Sequence, residues 1–110
     1  MKKYILIVDD EKDICLTLSK ILSSKGFSVI IASNSDAAIN EIKNTSIDLV
    51  LLDVWLEGSK KNGLELLKIM RNYNPDTPVI LISGHANIDI AVKAIKEGAF
   101  YFIEKPFKSE

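Results

Sequence analysis

Apolar positions fall into two kinds of block along this chain, and the kinds alternate. Tyr4-Ile5-Leu6-Ile7-Val8 is an unbroken β-prone run, stopped by Asp9-Asp10-Glu11. A strand that is apolar on both faces belongs inside a parallel sheet covered on both sides. Ile14, Leu18, Ile21 and Leu22 then recur at helical spacing, and that helix ends near Lys25-Gly26. Phe27 to Ile31 reads as a second strand, and Ser35 as the cap of a helix with Ala38, Ile39 and Ile42 on one face. A third strand runs from Asp48 to Leu52 with Asp53 at its end. Val54 to Asn62 reads as a loop, and Gly63 to Tyr73 as a third helix with Leu66, Leu67 and Met70 inward.

Asn74-Pro75-Asp76-Thr77-Pro78 breaks the chain before a fourth strand, Val79 to Ile82. Ile88, Ala91, Val92 and Ile95 mark a fourth helix that stops at Gly98, and Phe100 to Ile103 makes a fifth strand before Lys105-Pro106-Phe107. Strict β/α alternation implies an α/β fold: a doubly wound parallel sheet with right-handed crossovers and helices on both faces. No internal repeat, low-complexity segment or linker interrupts the pattern.

The 110 residues make one domain, read as 1–110. Fourteen basic against fifteen acidic residues leave a net charge of -1, which excludes a polycationic nucleic-acid binder. Cys15, the sole cysteine, cannot form an internal disulfide, so a reducing cytoplasm is the expected compartment. No apolar run approaches the roughly 18 residues of a membrane span, and Asp9-Asp10 come too early for a signal peptide. The sole histidine, His85, rules out a histidine metal cluster.

In an open α/β sheet, ligands bind beyond the carboxyl ends of the strands. Asp9 and Asp10 follow the first strand, Asp53 the third, Ser83 the fourth and Lys105 the fifth, so all fall at one edge. Gathered carboxylates repel, by roughly 4 kcal/mol for two unit charges about 4 Å apart at an effective dielectric of about 20. Such a cluster calls for a hard divalent cation, and Mg²⁺ suits carboxylate and phosphate oxygens. Lys105 adds a mobile positive charge, and Ser83 a hydroxyl donor. The chemistry implied is phosphoryl transfer to the carboxylate of Asp53, which needs no separate base when ionised.

Val8-Asp9-Asp10-Glu11, Leu51-Leu52-Asp53, Ile82-Ser83-Gly84 and Lys105-Pro106-Phe107 together resemble the receiver domain of two-component response regulators, over essentially the whole chain. The resemblance implies a flavodoxin-like five-stranded sheet of order 2-1-3-4-5. It implies that Asp53 accepts phosphate from a histidine kinase, making the domain a regulatory phosphoacceptor and not an enzyme. Asp10, Asp53 and the backbone carbonyl of Trp55 would bind Mg²⁺, for which Mn²⁺ or Ca²⁺ can substitute, with Asp9 acting through water. Ser83 and Phe102 become the switch pair, and a cis bond before Pro106 would aim Lys105 into the pocket. His85 would stand at the pocket rim.

Asp53-Val54-Trp55-Leu56-Glu57-Gly58-Ser59 with Asn62-Gly63-Leu64-Glu65-Leu66-Leu67 is similar to receivers of the NtrX type, within the wider NtrC-like group. That group implies dimerisation on activation, and contact with DNA and sigma-54 polymerase through output domains lying outside this chain. Glu57 stands where many receivers have proline, Asn62 replaces a frequent aspartate, and the intervening loop is longer than usual. Phe102 lacks the hydroxyl of a tyrosine switch. Two other readings stand beside this one. One is a receiver-like interaction domain without phosphate control. The other is an aspartyl-nucleophile phosphatase, which wants a second aspartate where this chain has Trp55.

The family also places a fifth helix after Lys105-Pro106-Phe107, and Lys108-Ser109-Glu110 cannot form it. The expectation is therefore a receiver truncated before its last helix. The first helix would be alone on its face, and the last strands would present several hundred Å² of apolar surface to water or to a second copy.

Overall fold

The computed structural model describes residues 2–56, 61–84 and 88–104. In chain order the elements are β1 (Tyr4–Val8), α1 (Lys12–Ser24), β2 (Ser28–Ala32), α2 (Ser35–Asn44), β3 (Leu49–Asp53), α3 (Gly63–Tyr73), β4 (Val79–Ser83), α4 (Ile88–Lys96) and β5 (Tyr101–Glu104). All neighbours in the sheet are parallel, and the order is β2-β1-β3-β4-β5. This is the flavodoxin-like α/β arrangement that the alternation and the resemblance imply.

Side-chain alternation along the strands divides the core in two. Leu6, Val8, Val50, Leu52 and Leu81 face one way and pack with Leu66, Leu67 and Met70 of α3 and Ala94 of α4. Ile5, Ile7, Leu51 and Ile82 face the other way and pack with Cys15, Leu18 and Leu22 of α1. α2, α3 and α4 thus share one face, and α1 covers the other. At the far end of the α1 face, Ile80 and Ile103 are half-buried and Tyr101 is 60% exposed.

Several local details differ from the sequence reading: β3 and β5 each start one residue later than read, and β4 runs one residue further, to Ser83. β2 starts one residue later, at Ser28, because Ser28 pairs with Tyr4 and its amide donates to the Lys3 carbonyl. The cap of α2 is Asn34, whose side chain accepts from the Ala37 amide at 2.8 Å; Ser35 is the first helical residue and is buried. In α4, the stripe that marks the helix is mostly not the one that packs. Ile88, Val92 and Ile95 are exposed, while Ala94 and the half-buried Ile90 meet the core. Ala94 has the smallest apolar side chain with a β-carbon, so this side lets α4 lie closest to the sheet. No helix of the described residues is long and apolar enough to cross a membrane.

Candidate functional site

The chain reverses direction across the sheet between β1 and β3, and a doubly wound sheet opens a crevice at that point. β1 and β3 pair directly, with Val8 opposite Leu52, so Asp9 and Asp53 leave neighbouring strands at the same edge. Carboxylate oxygens of Asp9, Asp10 and Asp53 lie within 4.8 Å of one another. Asp9 and Asp53 are 2% and 3% exposed, and Asp10 is half-buried. At that spacing each ionised pair repels by about 3.5 kcal/mol at an effective dielectric of about 20.

Local structure holds the three in place. The Asp9 amide donates to the Ala32 carbonyl at 3.1 Å, extending the β1–β2 pairing by one residue. Its Oδ1 accepts from the Glu11 amide at 2.9 Å, an Asx-type turn that bends the chain into α1. Below it, the buried Cys15 thiol donates to the Asp9 carbonyl at 3.4 Å. On the other strand, the Val54 amide donates to the Ile82 carbonyl at 2.9 Å, and the Val54 carbonyl accepts from the Gly63 amide at 2.8 Å.

The remaining candidates fall around this cluster. Asp53 is level with Ile82, so the fully buried Ser83 stands one step further along the neighbouring strand. Phe102 lies opposite Leu81 and packs half-buried against the larger core, on the side of α4. Trp55, two residues beyond Asp53, is exposed, while its neighbours Val54 and Leu56 are buried. Lys105, the Lys105–Pro106 bond and His85 lie outside the described residues. Reading the sequence by strand ends overlooked Gly63, which joins the site through the main chain. Its signal was the Asn62-x-x-Glu65 spacing of a capping box, which pins the start of α3.

The donor set fits a divalent cation. Carboxylates are hard oxygen ligands, three of them meet where two are nearly sealed from solvent, and no softer ligand type takes part in the cluster. Residues 5–110 match the family model of the response regulator receiver domain. The chain is a response regulator receiver domain. It is 50% identical over 110 residues to the nitrogen assimilation regulatory protein NtrX of Azorhizobium caulinodans, covering all of this chain and 24% of that protein. The receiver domain of NtrX from Brucella abortus superposes with a TM-score of 0.89 at 48% identity, covering 94% of this chain and 87% of that one. A response regulator from Burkholderia pseudomallei, solved with a phosphorylated aspartic acid, a calcium ion and citrate, superposes with a TM-score of 0.89 at 29% identity. It covers 96% of this chain and 61% of that one. The chain spans about a quarter of the length of the curated NtrX-type proteins it matches. This receiver is a regulatory phosphoacceptor of NtrX type, with the acidic triad typical of such sites at Asp9, Asp10 and Asp53.

Proposed function

We propose that Asp53 is the phosphoacceptor and that a histidine kinase is its donor. The observation that carries this is the position of Asp53: buried at the end of a central strand, with two further carboxylates within 4.8 Å. An ionised carboxylate oxygen of Asp53 attacks phosphorus. The bond from phosphorus to the kinase imidazole nitrogen breaks, the nitrogen takes a proton from solvent, and an acyl phosphate remains. Hydrolysis by water reverses the signal.

Asp10, Asp53 and the Trp55 carbonyl would hold Mg²⁺, with Asp9 through water, and the ion would supply neutralisation of the charge gathered on carboxylate and phosphoryl oxygens. Lys105, next in sequence after the end of β5 at Glu104, would pair with the phosphoryl group. Ser83, on the strand beside Asp53, would turn its hydroxyl toward that group. Phe102 follows inward because it packs on the α4 side of the sheet, and α4 in turn presents the changed surface. His85 would stand at the rim and influence loss of phosphate.

The Burkholderia relative, which holds both a phosphorylated aspartic acid and a divalent cation, supports this reading. We further infer a homodimer on activation, a cytoplasmic setting, and a receiver continued by a last helix. Output segments outside this chain would act on DNA and sigma-54 polymerase. Incubation with acetyl phosphate, with and without Mg²⁺, followed by intact mass measurement tests the core of the proposal. Wild type should gain one phosphoryl group in Mg²⁺, and Asp53→Asn none. Persistence of the increment in Asp53→Asn refutes the assignment, and a wild type that never gains it favours an interaction domain without phosphate control.

A further inference from the structure

Gly63, the first residue of α3, rests against the main chain of Asp53 and Val54. A β-carbon at this position would collide with the Asp53 carbonyl oxygen and stand 2.7 Å from Val54 Cα and 2.9 Å from the Asp53 carbonyl carbon. Those are backbone atoms at the end of a strand hydrogen-bonded into the middle of the sheet, so they cannot swing aside as the tip of a long side chain would. The Gly63 amide donates to the Val54 carbonyl at 2.8 Å while the Val54 amide donates to Ile82 at 2.9 Å. Val54 is therefore gripped from both sides, by α3 and by β4.

The helix cannot easily back away. Asn62 Oδ1 accepts from the Glu65 amide and Glu65 Oε1 accepts from the Asn62 amide, each at 2.9 Å, which fixes where α3 begins. Leu66, Leu67 and Met70 bury the rest of its inner face. The Lys61 amide also donates to the buried Ser35 hydroxyl at 3.4 Å, joining this end of the loop to α2.

We propose that Gly63 is a positioning residue for the phosphoacceptor. Its lack of a side chain lets α3 press on the Asp53–Val54 peptide, and this contact sets where the Asp53 carboxylate and the Trp55 carbonyl stand toward the cation. The inference rests on the assignment of Asp53 and Trp55 made above. A methyl group at 63 would push the strand end outward, moving two cation ligands together while leaving Asp9 and Asp10 where they are.

The test uses the full chain as wild type, Gly63→Ala and Leu22→Ala, the last a destabilising control on the opposite face of the sheet, in α1. Mg²⁺ affinity is read from Trp55 fluorescence, and thermal stability is read alongside. Gly63→Ala should weaken Mg²⁺ binding roughly 10-fold or more, the range found when groups that orient metal ligands are altered, and uptake from acetyl phosphate should recover at high Mg²⁺. Leu22→Ala should lose stability yet bind Mg²⁺ as wild type does. A folded Gly63→Ala with wild-type affinity overturns the proposal, as does equal weakening in Leu22→Ala. Should Gly63→Ala not fold, the Gly63 amide of wild type decides: slow hydrogen exchange and a resonance that moves with Mg²⁺ support the proposal, and fast exchange unmoved by Mg²⁺ overturns it. A wild type that neither binds Mg²⁺ nor takes up phosphate refutes the assignment of Asp53 itself, an outcome distinct from these.

Discussion

The Cys15 thiol donates to the main-chain carbonyl of Asp9 at 3.4 Å, inside the core between α1 and the sheet. The first turn of α1 is thereby joined to the backbone that carries two of the three clustered carboxylates. Cys15→Ala removes a weak hydrogen bond and a buried sulfur. Urea unfolding should show a loss of about 1–2 kcal/mol. Mg²⁺ affinity should change little, because the Asp9 carboxylate keeps its bond from the Glu11 amide.

Clustered carboxylates should make stability depend on the cation. Without Mg²⁺ the triad repels, so Asp10→Ala should raise the melting temperature of the cation-free protein. In Mg²⁺ the order should reverse, since wild type gains about 2.7 kcal/mol at 100 times its dissociation constant and the variant forfeits most of that. Thermal melts in chelator and in saturating Mg²⁺ check both halves. A variant that is less stable than wild type in chelator would show that the other interactions of Asp10 outweigh the repulsion within the triad.

The outer stripe of α4 should serve association, not folding. Ile88 is 80% exposed, and Val92 and Ile95 are about half exposed with Ala91 and Lys96 beside them around a shallow apolar depression. Val92→Lys with Ile95→Lys should leave monomer stability within about 0.5 kcal/mol per site. The same pair should lower self-association after phosphorylation, read by light scattering. Unchanged association would place the contact elsewhere.

Much of this receiver follows from local sequence alone. The run Tyr4–Val8 could only be a buried strand, because no polar position gives it a wet face. Gly63–Tyr73 was legible to the residue, since Asn62 and Glu65 cap it and its inner face repeats at helical spacing. The placing of Asp9, Asp53 and Ser83 at strand ends was equally plain, because each directly follows an apolar run, and Asp10 comes next after Asp9.

Tertiary structure decided what those residues do to one another. Asp9 and Asp53 are neighbours only because β1 pairs with β3, a choice made by the packing of whole strands and not by any residue near either aspartate. Which side of α4 turns inward was also beyond periodicity. Ile88, Val92 and Ile95 form as good a stripe as Ile90 and Ala94, and the sheet accepts the side that lets the helix come closest. Gly63 reads in sequence as an ordinary helix start. Its contact with the Asp53 backbone exists because the capping box and the buried face of α3 together press that helix end onto the strand. Hydrophobic pattern specifies elements through short-range spacing, whereas contacts between strand ends and helix ends depend on how separately specified elements dock.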